Sequence, residues 1–142
     1  MSVREAALAA LFAHLNAALA ARSLAPKVLR NETVPQRLPA GGLVVVRDGE
    51  TVEETAILSP LAWAIEHRAD VEVVATSSAL LDALLVDIAT AIAGDRSLGG
   101  AVEWAQPGAP SFDDAEAEGA AAARAASIPV TLFFTVAGSP LA

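Results

Sequence analysis

The stretch WAIEHRADVEVVA, residues 63–75, alternates between two chemistries almost without a slip, and its reading decides the fold. Trp63, Ile65, His67, Ala69, Val71 and Val73 share one parity, while Glu66, Arg68, Asp70 and Glu72 share the other. Side chains of a strand alternate between its faces, so this segment predicts a β-strand with one covered face and one charged, open face.

The cover must come from helices, and two amphipathic stripes supply them. Leu8, Leu11, Phe12, Leu15 and Leu19 follow at i, i+3, i+4, i+7 and i+11, which predicts a helix ending near Arg22 and Ser23. Ser2 and Glu5 in SVRE fit a capping box at its start. Leu81, Leu85, Ile88 and Ile92 make a second stripe, with Ser77 or Ser78 as N-cap and Gly94 as the stop.

Pro26, Pro35 and Pro39 leave room for only a short strand around Lys27 to Arg30. The segment LVVVRDGETVEETAI then reads as a hairpin turning at Asp48-Gly49. Its second arm carries Glu50, Glu53 and Glu54 and is either a weak strand or a mobile loop, ended by Pro60. GGAVEWA reads as a short strand and PGAPSFDDAEAEG as an exposed acidic loop. Ala-rich residues 120–126 have helical propensity, but they run into SIPVTLFFTV, and the reading adopted is one long strand over 120–136 with a bulge at Pro129. The expected fold is α+β: a mostly antiparallel sheet with two helices on one face, in the order α-β-β-β-α-β-β.

The whole-chain properties fit one domain over residues 1–142. The hydrophobic fraction is 54%, but 34 residues are Ala, so the core rests on a modest set of larger side chains. Nine Lys plus Arg against 17 Asp plus Glu give a net charge of -8, which argues against binding nucleic acid by phosphate neutralisation. There is no cysteine, hence neither a disulfide framework nor thiolate chemistry. Arg4 precedes an apolar stretch, but Glu5, His14 and Asn16 interrupt it at helical spacing, unlike a signal peptide. The longest apolar run, AASIPVTLFFTVAG, contains a proline and is too short to span a bilayer, so no membrane anchor is expected.

Catalytic signatures are missing. His14 and His67 lack a neighbouring acid and hydroxyl in a nucleophile arrangement, and each reads as a packed histidine. Gly94, Gly99 and Gly100 follow a helix where a phosphate loop would open one, and no G-K-[ST] accompanies them. Asp113, Asp114, Glu116 and Glu118 lack the alternation and distal Glu of a calcium loop and read as solvated acids. Trp63 and Trp104 read first as core anchors and second as interface anchors. The expectation is therefore a non-enzyme without metal or cofactor.

The order of a capped helix, RNETVPQRLPAGGLVVVRDG, the long strand WAIEHRADVEVVA, the helix ALLDALLVDIATAI and a C-terminal PVTLFFTV resembles the tail terminator, or tail completion, proteins of long-tailed bacteriophages and gene transfer agents. The resemblance implies a virion protein, made in the bacterial cytoplasm, whose subunits form a hexameric ring that caps the tail tube and meets head-tail connector proteins. It implies that DNA passes the channel without specific binding, past an acidic lining that repels phosphate. The contact residues it suggests are Asp48, Gly49, Glu50, Glu53, Glu54, Glu66, Arg68, Asp70 and Glu72. Residues 48–54 are expected to order on assembly, and deletion of 50–56 to spare the fold. Alternatives are a head-tail joining or neck protein and a ferredoxin-like small-molecule-binding domain, the latter marked by an apolar pocket between helix and sheet.

Overall fold

A computed structural model describes residues 1–34, 37–115 and 123–142. Helix α1 spans Val3–Ala20 and helix α2 spans Ser78–Gly94; the strands are β1 (Lys27–Arg30), β2 (Leu43–Leu58), β3 (Leu61–Ala75), β4 (Trp104–Pro107), β5 (Ser111–Ala115) and β6 (Ala123–Ala137). Ser2 and Ser77 cap the helices, their hydroxyls accepting from the N–H groups of Glu5 and Leu80 at 3.1 Å each. The second half of the α1 capping box is not made, because the Glu5 carboxylate is taken by both terminal nitrogens of Arg30, at 2.7 and 2.8 Å.

Both helices bury most of their stripes as expected, but Phe12 in α1 and Leu85 in α2 are only partly buried. Ala7, Leu8, Leu11, Leu15 and Leu19 are buried in α1, and Leu81, Leu84, Ile88 and Ile92 in α2, where Leu84 replaces Leu85 at the centre of the stripe. His14 donates from Nε2 to the carbonyl of Ala91 at 2.6 Å, and Arg22 pairs with Asp87, so polar contacts tie the helices together.

The described strands form a six-stranded sheet in the order β1-β2-β3-β6-β4, with β5 also on β6. Only β1 and β2 run parallel; the other pairs are antiparallel. The helices cover one face, where Val44, Val46, Ile65, Ala69, Val71, Val73, Ile128, Val130, Leu132, Phe134 and Val136 join the helical leucines in one core. Each fully buried Leu or Ile contributes roughly 1.5–3 kcal/mol of transfer free energy. A smaller cluster of Leu43, Val45, Val74 and Ala123, with Leu29 and Leu38 against it, lies on the opposite face at one end.

The α+β architecture matches the expectation, and four local readings are corrected. Asp48-Gly49 does not turn the chain: β2 continues to Leu58 and pairs with β3 from Leu43↔Val74 to Leu58↔Leu61. The positive φ that the dipeptide promised is present, 67° at Gly49, but it serves a bulge in which residues 48 and 49 oppose Ala69 alone. Residues 50–56 are accordingly strand and not a loop.

Second, the acidic loop contains a strand, β5, paired with β6 from Ser111↔Ser127 to Ala115↔Ala123. Third, GGAVEWA is mostly turn, and β4 begins only at Trp104. Fourth, β6 is the long strand expected, yet it passes Pro129 without a bulge, in unbroken register with β3. The Pro129 carbonyl accepts from Gly108 N–H at 2.7 Å, so its backbone polar groups point away from β3, toward the gap between β4 and β5. The missing N–H therefore costs no bond to β3. Pro35, Glu116, Glu118 and residues 120–122 lie outside the described residues.

Candidate assembly surface

The charged parity of β3 faces away from the helices, as its alternation requires. Glu66, Asp70 and Glu72 are half-buried and Arg68 is exposed, whereas Ile65, His67, Ala69, Val71 and Val73 on the other parity are buried. Cross-strand partners share a face, so the register builds an open sheet surface from Arg47, Glu50 and Glu53 of β2, Ser127, Pro129, Thr131 and Phe133 of β6, and Trp104 and Gln106 of β4.

Two irregularities in β2 decide which acids reach this surface. The first is the bulge at 48–49; the second inserts Val52 between Thr51↔His67 and Glu53↔Glu66. Each inserted residue shifts the alternation by one. Together they place Glu50 and Glu53 on the open face opposite Arg68 and Glu66, while Glu54 pairs with Ile65 on the helix side and stays exposed.

Charge is only partly balanced there. Arg47 bonds Glu72 at 3.2 Å, and Arg68 lies 4.0 Å from Glu50. Both are surface pairs that contribute little. Glu53 and Glu66 stand directly opposite each other, a like-charge juxtaposition that disfavours the sheet. The sheet carries this cost in exchange for a concentrated negative patch.

Asp48 is held from three sides. Its N–H donates to the Asn31 side chain at 3.0 Å, its carbonyl accepts from His67 Nε2 at 2.5 Å, and its carboxylate accepts from Arg30 Nε at 2.9 Å. Burial pushes the Asp48 carboxyl up, but contacts with Arg30 and Asn31 outweigh it and leave the group below the usual carboxylate range. The hydrogen bonds from Arg30 likewise hold Glu5 low. A side chain at Gly49 would start 1.8 Å from the Arg68 carbonyl oxygen, so only glycine fits this bulge.

Beyond the first bulge, the outer half of β2 and its turn into β3 form an arm, while β3 itself stays flanked by β6 from Ala62↔Ala137 onward. Val52, Ile57, Leu58 and Leu61 are exposed there, Leu58 by 82%. β1 pairs only with Leu43 to Val46, so the outer edge of the arm carries no strand among the described residues. These exposed apolar residues escaped the sequence reading, which turned the hairpin too early, at Asp48-Gly49; Ser59-Pro60 between two leucines was the available turn signal.

The tryptophans divide. Trp63 packs against the helix-side core and donates from Nε1 to the Gly138 carbonyl at 3.1 Å. Trp104 is not a core anchor: it is 44% exposed on the open face, paired with Phe133, and the Arg96 guanidinium lies 4.7 Å from its ring centroid.

Both imidazoles are committed to backbone carbonyls. Among the described residues no three His, Asp or Glu are grouped to hold a metal. A cleft of about 260 Å³ lies between the start of α2 and β5–β6, lined by Leu81, Leu85, Phe112 and Ala125 with Asp82 and Arg124; it is smaller than the usual small-molecule pocket. Compared with known proteins, the chain matches no family model and no curated sequence.

Proposed function

We propose that this chain is a non-enzymatic assembly subunit whose copies close into a hexameric ring of the tail-terminator type, capping a tail tube and joining it to the head side. The observation that carries the reading is the arm. Four large apolar side chains stand exposed along the outer half of β2 and its turn into β3, an edge that no other described strand covers, beside the unneutralised Glu53 and Glu66. Exposed apolar groups next to unpaired charge suit a surface completed by another protein.

Rings arise from heterologous contacts, in which one patch meets a different patch of the next copy. The arm supplies one such patch, and the open sheet face with Trp104 supplies a second. Carboxylates left facing the channel repel DNA and let it pass.

The test is mass by light scattering, for the protein alone and then with a tail tube protein from the same genome. Hexamers of the 14.4 kDa subunit, alone or on tube ends, are the expected result. A monomer indifferent to the tube protein sinks the reading, and rings that bind a connector but ignore the tube transfer it to a neck protein.

A further inference from the structure

Asp48 sits where β2 passes from buried to exposed. Leu43 to Val46 are buried, and from Glu50 to Leu58 all but Thr51 is exposed. At this boundary the N–H, the carbonyl and the carboxylate of a single residue are each bonded to a different neighbour: Asn31 just after β1, His67 in β3 and Arg30 in β1.

Among the described residues, His67 is the one buried polar side chain, 3% exposed. A carbonyl can only accept, so Nε2 carries the proton toward Asp48, and Nδ1 accepts from the Thr51 hydroxyl at 3.1 Å. One ring thus ties both ends of the bulged segment 48–51. Arg30 extends the network away from it, since the guanidinium that bonds Asp48 also grips Glu5 in the first turn of α1.

We propose that Asp48 and His67 form a joint that pins the arm to β3, and that Arg30 relays the position of α1 to this joint through Glu5. The inference rests on the assembly reading only in taking the arm as the contacting element. A partner that shifts the first turn of α1 then loosens the arm on β3, and a partner that seats the arm tightens α1.

Amide exchange followed by mass spectrometry on the free chain tests this without any assembly. In His67→Ala, exchange over residues 50–58 rises about tenfold, as loss of a buried hydrogen bond predicts, while 43–46 and 126–132 keep their protection. Thr51→Val, which removes one bond and little volume, gives a rise of roughly threefold in the same residues. His67→Gln, which retains a donor for the Asp48 carbonyl, restores most of the protection. Should His67→Ala fail to fold, the Thr51 and Gln variants decide the matter. Glu5→Gln raises exchange in the arm although Glu5 does not touch it. Unchanged arm exchange in Thr51→Val and His67→Ala, or equal acceleration across the whole sheet, overturns the joint; a Glu5→Gln effect confined to α1 overturns the relay. Light scattering on the same variants judges the ring separately, so failure of one reading leaves the other standing or falling on its own data.

Discussion

The same two strands behave differently on either side of Asp48. Below it, Leu43–Val46 and Val71–Ala75 are closed in by helices on one face and the smaller cluster on the other. Above it, β2 keeps its ladder with β3 as far as Leu58↔Leu61 but is largely exposed, while β3 remains paired with β6 and buries Ile65 and His67. Strand formation and burial are therefore separate properties here. The body is held by apolar contact, whereas the arm is held by pairing with its neighbour and by the polar joint, which leaves its surface free for another molecule.

Substitutions can break or sharpen that contrast. Leu132→Ala, deep in the body, is expected to destabilise by about 2–5 kcal/mol in urea unfolding, and a loss under 1 kcal/mol would mean the body is not the stabilising half. Gly49→Ala forces a Cβ against the Arg68 carbonyl in a left-handed conformation and should cost about 1–3 kcal/mol, with the damage centred on the joint. An unfolding midpoint equal to that of the parent chain contradicts the bulge.

A pH series acts on the joint more gently. Glu5 and Asp48 have folded-state values below their unfolded ones, so their stabilisation is complete above the ordinary carboxylate range and is lost as pH falls through the depressed values. Thermal midpoints should decline below pH ~4, and Glu5→Gln should flatten part of that slope. A slope identical in the variant would remove Glu5 from the network. The smallest expected effect is a gain: Glu66→Lys turns the Glu53 pair into an opposite-charge pair and should stabilise by about 0.2–1 kcal/mol, diminishing with salt. If it destabilises, the acids are already neutralised by something else.

Much of the body was legible because its signals are periodic. The serine caps, both helical stripes and the alternation of β3 each follow from one uninterrupted repeat. The candidate surface was legible on β3, where Glu66, Arg68, Asp70 and Glu72 lie on the open face, and obscure on β2. There two single-residue insertions break the repeat, so Glu50 and Glu53, three apart, share a face that an even strand would deny them. Asp48-Gly49 did report a positive φ, but a bulge and a turn make the same demand on a glycine, and only the ladder distinguishes them. Pro129 misled in the opposite sense, because its tolerance depends on a gap between two other strands that local sequence does not encode.

Trp63 and Trp104 lie on opposite faces of one sheet, the first packed on the helix-side core and the second half-exposed beneath Arg96. The chain has two tryptophans and no tyrosine, so its near-ultraviolet emission comes almost wholly from this pair. One reports on the helix side beside the arm and the other on the open face. With Trp63→Phe, a partner that covers that face will announce itself as a blue shift in Trp104 emission; with Trp104→Phe, the remaining signal will follow the packing of Trp63 opposite Ala56 of the arm.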